Sequence, residues 1–242
     1  MGNTFTNIIF SLRKLFSNRE VKMLCIGMEQ SDFAGSCLGA DKGATKFFEK
    51  AKPRCNYAKL LINSQATKSR VTSEMLKVCN SDLAIIMYAG HGGQERAKYC
   101  ADEPDGKNEL IYLYDSPMFD NEIWNIVSGA KGRVLLVFDC CHSETMYRGY
   151  AGKVFNFFET RGNSGGVDLM CWSACPDDKV AYATVVGGFM TSCIVRNIGP
   201  WSTYDKVWDK VANDKNLASH EPVRRAILLG GDSKFKGEKM FS

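Results

Sequence analysis

The most constraining feature of this chain is a series of short apolar runs separated by helix-forming segments. Three of the runs are continuous: "VKMLCIGM" (21–28), "DLAIIMYAG" (82–90) and "RVLLVFD" (133–139). A short run without alternating polar residues is typical of a strand buried on both faces of a parallel sheet. Further strands are predicted at 57–63, 109–115, 167–174 and 223–230, and helices at 43–51, 67–79, 120–130, 188–197 and 204–211. A Ser or Thr should cap the second helix and Asp120 the third.

This order predicts an α/β fold, with a mainly parallel central sheet covered by helices on both faces. It also predicts one domain from residue 21 to 242, preceded by a separate segment at 1–20. Reactive residues in such sheets are expected at the carboxyl ends of the strands.

Composition excludes several classes of protein. The net charge of +4 is modest and no basic stripe alternates with aromatic residues, so a nucleic-acid partner is not expected. Ten cysteines in 242 residues fall well below the roughly 8–10% of disulfide scaffolds, and no C-x-x-C pair suggests structural zinc. With no secretory signal and no apolar run of roughly 18–20 residues, the expected location is the cytoplasm.

The N-terminal segment "MGNTFTNIIFSLRKLFSNRE" predicts a peripheral membrane anchor. Gly2 and Thr6 fit the N-myristoylation pattern M-G-x-x-x-S/T. Arg13 and Lys14 lie off an apolar helical face formed by Phe5, Ile8, Ile9, Leu12, Leu15 and Phe16. A lipid chain and a basic amphipathic helix together suffice for membrane binding. The alternative is a helix docked on the core of the protein itself.

The same stretch, through "VKMLCIGMEQ", resembles the N-terminus of ADP-ribosylation-factor small GTPases. The resemblance ends at Gly27. The phosphate loop G-x-x-x-x-G-K-S/T is absent from "MEQSDFAGS", so GTP binding is not expected.

Two of the predicted strands end in reactive residues. His91 follows the strand in "MYAGHGGQ", and Cys141 follows the strand in "FDCCHSE". If the strands are neighbours, the imidazole and the thiol converge as a Cys–His dyad, in which the base activates the nucleophile. The backbone N–H groups of Gly92 and Cys141 would then hold the oxyanion.

Two alternatives stay open for these residues. One is a zinc site made by His91, Cys140, Cys141 and His142. It is disfavoured because adjacent residues of an extended strand point to opposite sides. The other is a pair of structural thiols that pack without taking part in chemistry.

The two motifs resemble the signatures of metacaspases and related caspase-fold peptidases, Y-S-G-H-G-G-Q and D-S-C-H-S-G. His91 and Cys141 are 50 residues apart, as in that family. Three further stretches, "DGKNELIYLYD", "FDNEIWNIV" and "MCWSACPDDKVAY", extend the resemblance over about residues 21–198. It implies a caspase-like α/β/α sandwich and a cysteine endopeptidase acting on proteins or peptides, with His91 as base and Cys141 as nucleophile.

The resemblance also implies a substrate pocket for a basic side chain. Asp139 matches the pocket acid, so cleavage is expected after Arg or Lys, and Trp172 is either a core residue or a wall of the pocket. Two positions depart from the pattern. Ala89 replaces a serine, and Gly43 takes the place of a second aspartate, with Asp41 two positions away.

Calcium binding is expected to be weak or absent, and no cofactor is expected to be required. Asp105 and Asp120 match family ligands, but Asn121 and Arg148 stand where aspartates are usual. Calcium prefers several carboxylate oxygens, and a cation in their place repels it.

Two other functions stay open. One is an inactive caspase-fold scaffold at membranes, with a pocket altered at Ala89, Gly43 and Glu144. The other is a peptidase with a different side-chain preference.

Overall fold

A central six-stranded sheet organises the protein. The computed structural model describes residues 19–96, 107–140, 167–174, 183–217, 223–228, 235 and 237–241. In chain order the strands are β1 (Val21–Gly27), β2 (Gln30–Ser31), β3 (Gly35–Ser36), β4 (Tyr57–Ile62), β5 (Leu83–Ala89), β6 (Gly92–Arg96), β7 (Lys107–Tyr112), β8 (Pro117–Phe119), β9 (Arg133–Asp139), β10 (Asp168–Ser173), β11 (Ala183–Thr184), β12 (Gly187–Gly188) and β13 (Val223–Leu228). The helices are α1 (Ala40–Ala51), α2 (Lys68–Cys79), α3 (Asp120–Val127), α4 (Phe189–Asn197) and α5 (Tyr204–Ala212), with 3₁₀ turns at Lys52–Arg54 and Asn63–Gln65.

The central sheet has the strand order β13-β10-β9-β5-β1-β4. Five strands run parallel, and β13 pairs antiparallel with β10 at one edge. The expected α/β fold with a mainly parallel sheet is therefore confirmed. The two strands that end in reactive residues, β5 and β9, are direct neighbours.

Helices cover both faces of this sheet. All residues of β5 and of β9 are buried, which is why their sequences show no polar alternation. On one face, odd-numbered residues of β1, β5 and β9 such as Val137 pack with α1, α4 and α5. On the other, even-numbered residues such as Leu136 pack with α2 and α3. Successive side chains of each strand thus enter opposite cores.

Several local elements differ from the sequence-based expectation. The segment expected at 109–115 belongs to a separate antiparallel sheet, β6-β7-β8, and short hairpins form at β2–β3 and β11–β12. Asp120 is the first residue of α3 and not its cap, because Phe119 is the last extended residue before the helix. Thr67 precedes α2 without a side-chain cap, and Asp115 accepts the Lys68 N–H at 2.7 Å instead.

Residues from both ends of the described chain meet at the amino edge of the sheet. Glu238 pairs with Arg19, which precedes β1, and with Arg133, the first residue of β9. The Arg133 guanidinium lies 4.8 Å from the centre of the Phe235 ring. The ion pairs and the stacking fix the C-terminal residues beside the start of β1. The described part of the chain contains no helix long and apolar enough to cross a membrane.

Gly27→Ala should destabilise the fold, because Gly27 ends β1 in close contact with α1. A β-carbon there would lie 2.8 Å from the Asp41 Cα and 2.9 Å from the Ala44 Cβ. We expect the free energy of unfolding to fall by about 1–3 kcal/mol, measured by urea denaturation.

Gly129→Ala is the matched control. Its β-carbon would meet only the Ile126 carbonyl oxygen, at 3.7 Å. Its unfolding free energy should change by less than about 0.5 kcal/mol. Equal effects of the two substitutions would contradict the packing of Gly27 against α1.

Candidate active site

The register of β5 and β9 sets the geometry of the site. Ala89 pairs with Asp139, and Ala89 also pairs with Gly27 of β1. His91 lies two residues beyond Ala89 and is half-buried at the carboxyl edge of the sheet. Cys141 lies two residues beyond Asp139 in the sequence. It is outside the described residues, as are Gly2, Asp105, His142, Glu144 and Arg148.

The loop that carries His91 is tied to the sheet through Tyr88. The buried Tyr88 hydroxyl contacts two carbonyl oxygens, that of His91 at 2.8 Å and that of Tyr112 at 2.9 Å. The Tyr112 N–H also donates to the His91 carbonyl, at 3.1 Å. Gly90 allows this contact, because a β-carbon there would overlap the Tyr88 hydroxyl. Gly92 follows at once as the first residue of β6 and pairs with Ile111.

The Tyr88 hydroxyl stays protonated, as a hydrogen-bond donor must. Burial raises the pKa of Tyr88 well above its ordinary value, and the Cys140 and Cys37 thiols add to the shift. The backbone of the His91 loop is therefore held by a neutral phenol throughout the physiological pH range.

Asp139 is buried against the first turn of α4. Its exposed fraction is 8%. Its Oδ2 accepts the Thr191 backbone N–H at 3.0 Å. The carboxylate also lies so close to Gly188, which precedes α4, that any side chain at Gly188 would overlap it. A helix N-terminus carries partial positive charge and free N–H groups, so it stabilises the ionised acid.

Asp41 lies two positions from Gly43, in the first turn of α1. Its Oδ1 accepts the Lys42 backbone N–H at 2.6 Å. Interaction with the Asp41 carboxyl group is the main cause that raises the pKa of Glu29. Gly43 is the α1 residue that faces the Asp139 region. A β-carbon there would lie 3.7 Å from the Gly188 nitrogen and 4.0 Å from the Thr191 Cγ2.

Trp172 is on the same face of the sheet as Asp139 but lies in the core. It is fully buried, one strand away from Asp139, and pairs with Val137. Its ring centre is 6.2 Å from that of Tyr204 and 5.7 Å from that of Trp208. The structure thus brings Ala89, Asp139, His91 and Gly92 to one edge and places Trp172 beneath it.

The buried cysteines of the described chain are expected to be unreactive. Cys140 is 2% exposed and packs in the cluster of Phe138, so it is the core-facing member of the thiol pair. Burial raises the pKa of Cys79 and of Cys171 to about 12. At neutral pH these groups are thiols and not thiolates, which disfavours both nucleophilic attack and metal binding.

The described residues do not form a metal site. They contain no group of three or more His, Cys, Asp or Glu side chains placed to hold an ion. Asp120 is fully buried and accepts the Asn121 N–H at 2.8 Å, and the buried Asn121 Oδ1 has no hydrogen-bond partner in the described structure. These two residues alone fall short of the six to eight oxygens that calcium takes.

Thr191 and Gly188 are site residues that sequence reasoning did not find. They follow Asp139 by about 50 positions, and no motif links them to it. Only the packing of α4 over the end of β9 shows that the helix terminus meets the acid.

Comparison with known proteins agrees with this architecture. The crystal structure of a protein from Geobacter sulfurreducens matches with a TM-score of 0.71 and 20% identity, over 92% of this chain and 98% of that one. The crystal structure of caspase-1 from Spodoptera frugiperda matches with a TM-score of 0.56 and 12% identity, over 89% and 91%. The fold is therefore the caspase fold. No curated protein sequence matches.

The sequence of one part of the chain is also similar to a known family. Residues 51–148 match the family model described as metacaspase, peptidase C14 domain. This stretch contains His91, Asp139 and Cys141. The chain is metacaspase-like over this stretch and has the caspase fold, and the likeness suggests a cysteine peptidase.

Tyr88→Phe should destabilise the protein, because it removes the hydroxyl from the Tyr112 carbonyl and leaves the His91 carbonyl with the Tyr112 N–H alone. We expect a loss of about 1–3 kcal/mol in the free energy of unfolding, measured by urea denaturation. The matched control is Tyr57→Phe, which removes a half-buried hydroxyl 2.7 Å from the Glu74 Oε2. That control should cost less than about 1 kcal/mol. If the control were the more damaging change, the anchoring role of Tyr88 would be wrong.

Proposed function

We propose that this protein is a cysteine endopeptidase that cleaves after Arg or Lys, with His91 as base and Cys141 as nucleophile. The observation that carries the proposal is the Ala89–Asp139 pairing of adjacent parallel strands, from which both residues follow at the same offset. The family match supports the class of activity. The half-buried position of His91 leaves its imidazole within reach of a substrate.

The proposed reaction has two steps. In the first, His91 takes the Cys141 proton, and the sulfur attacks the scissile carbonyl carbon to form a tetrahedral oxyanion. The oxyanion is held by the N–H groups of Gly92 and Cys141. When the C–N bond breaks, the His91 imidazolium gives its proton to the leaving amine, and a thioester to Cys141 remains.

In the second step, water attacks the thioester while His91 accepts its proton. The C–S bond breaks, the Cys141 thiol is restored, and the carboxylic acid product leaves. No metal enters either step, and we propose that calcium dependence is weak or absent.

The preference for a basic side chain rests on Asp139. A buried carboxylate attracts a cation and disfavours an acidic or an apolar substrate side chain. The Thr191 N–H at the start of α4 donates to one Asp139 oxygen, an interaction that favours a carboxylate at this position.

A scaffold without peptidase activity is the second candidate. It is favoured by the two altered pocket positions, because Ala89 and Gly43 contribute no polar side chain beside Asp139. A peptidase with another side-chain preference is the third.

A panel of fluorogenic peptides tests the peptidase. The peptides differ only in the residue before the cleaved bond, which is Arg, Lys, Leu or Asp. We expect cleavage after Arg and Lys, and a loss of at least about a thousandfold in kcat for Cys141→Ala. Cys140→Ala is the matched control. It removes the neighbouring core thiol and should keep activity within about tenfold.

Each result of the panel has a distinct meaning. Equal rates in calcium and in chelator support the cofactor prediction, and loss in chelator overturns it. Cleavage after Leu or Asp instead of Arg or Lys overturns the basic preference but keeps the peptidase. No cleavage by a folded protein with a reduced Cys141 favours the scaffold.

We further propose that residues 1–20 anchor the protein at membranes through a myristoyl group on Gly2 and a basic amphipathic helix. Protein expressed with an N-myristoyltransferase should sediment with vesicles that contain anionic lipid, and Gly2→Ala should reduce the bound fraction on the order of tenfold or more. The control Asn3→Ala leaves the acceptor glycine intact and should bind like the wild type. If the Gly2 variant bound the vesicles as well as the wild type, the myristoyl group would not be needed for membrane binding.

A further inference from the structure

The first turn of α4 contains a buried hydroxyl with no hydrogen-bond partner. Thr191 is 1% exposed, and its Oγ1 makes no hydrogen bond in the part of the structure that is described. Threonine inside a helix commonly bonds the carbonyl three or four residues earlier. At Thr191 those positions are Gly188 and Gly187, which precede the helix, and neither carbonyl accepts the hydroxyl. A buried hydroxyl without a hydrogen bond lowers the stability of the folded protein. We therefore expect a bound ligand to supply the missing hydrogen-bond partner.

The hydroxyl belongs to the residue that contacts Asp139 through its backbone. The Thr191 backbone N–H donates to the Asp139 Oδ2 at 3.0 Å, while Oγ1 makes no hydrogen bond to that carboxylate. The opposite branch of the side chain, Cγ2, faces Gly43. Thr191 therefore lies between Asp139 and Gly43 of α1.

The surroundings of Thr191 are unusually short of side chains. Gly43 and Gly188 contribute none, and Ala89, which pairs with Asp139, contributes only a methyl group. The α1 helix carries its acid at Asp41 instead, where the carboxyl is engaged with Glu29. In the described structure, the Thr191 hydroxyl is a buried polar group that has no hydrogen-bond partner.

We propose that Thr191 is a specificity-determining residue, whose Oγ1 accepts a hydrogen bond from the cationic side chain of the substrate beside Asp139. This inference rests on the proposed peptidase function. It also gives an order of preference between the two basic residues. A guanidinium presents several N–H groups in one plane and can meet a carboxylate and a neighbouring hydroxyl together, whereas an ammonium is a compact point charge. Arg is therefore preferred to Lys.

The test compares Thr191→Val with Thr191→Ser. Valine has the shape of threonine without the hydroxyl, and serine keeps the hydroxyl. We expect Thr191→Val to lower kcat/KM for the Arg peptide on the order of tenfold, mainly through KM, because a hydrogen bond to a charged group is lost. Its effect on the Lys peptide should be smaller, and Thr191→Ser should stay within about threefold of the wild type. Melting temperatures of both variants should stay close to that of the wild type.

A binding measurement separates this inference from the proposed function. The probe is butylguanidinium, titrated by NMR into Cys141→Ala with and without Thr191→Val, with pentylammonium as the comparison. We expect the valine change to weaken guanidinium binding on the order of tenfold and ammonium binding less.

The outcomes are distinguishable. If the wild type cleaves Arg peptides and Thr191→Val does so equally well, Thr191 has no role and the peptidase stands. If no peptide is cleaved, the peptidase fails. In that case, weaker butylguanidinium binding by the Thr191→Val variant would still support Thr191 as a guanidinium-binding residue. Equal binding with and without Thr191→Val would overturn the inference.

Discussion

The parallel alignment of β5 with β9 is the constraint on which the rest of the site depends. Because Ala89 and Asp139 are paired, the residues that follow them leave the sheet side by side. A shift of the register by one residue would reverse the face of every side chain in one strand. Asp139 would then enter the core of Phe138 and Cys140, and the acid would lose the helix that stabilises it. Fourteen buried residues in the two strands make such a shift costly, so the core fixes the position of the residues that follow both strands.

In the proposed function, Asp139 would serve both stability and recognition. Its Oδ2 accepts a backbone N–H of the first turn of α4, and the residue lies on the face of the sheet that carries α1. The Thr191 residue that donates this N–H also carries the unpaired hydroxyl. Sites built on rigid elements in this way keep their geometry more precisely than sites built on loops. His91 lies in a loop and not in a strand or helix. The hydrogen bond from the Tyr88 hydroxyl to the His91 carbonyl restrains this loop, whereas Asp139 is held by its own strand.

The main sheet was predictable from sequence because its strands are buried on both faces and appear as unbroken apolar runs. A strand was predicted at 109–115, and residues 109–112 do belong to β7, but local pattern does not show that its partners form a separate sheet. The short hairpins depend on backbone pairing of two residues each and leave no periodic signal. His91, Asp139 and Cys141 could be nominated from the sequence because each lies in a short local motif. The contact of Thr191 with Asp139 could not, because it arises from packing between distant elements.

The ion pairs of Glu238 with Arg19 and Arg133 place the start of the described chain at the amino edge of the sheet. The reactive edge lies at the other end of β1, whose seven residues span about 20 Å. If an anchor in residues 1–20 attached the protein next to Arg19, the reactive edge would lie about 20 Å from the attachment point. A soluble peptide could reach that edge freely, whereas a membrane-bound substrate would have to offer a stretch of chain that extends about 20 Å from the lipid. Attachment of this kind would select substrates by the length of their exposed chain as well as by the residue that is cut.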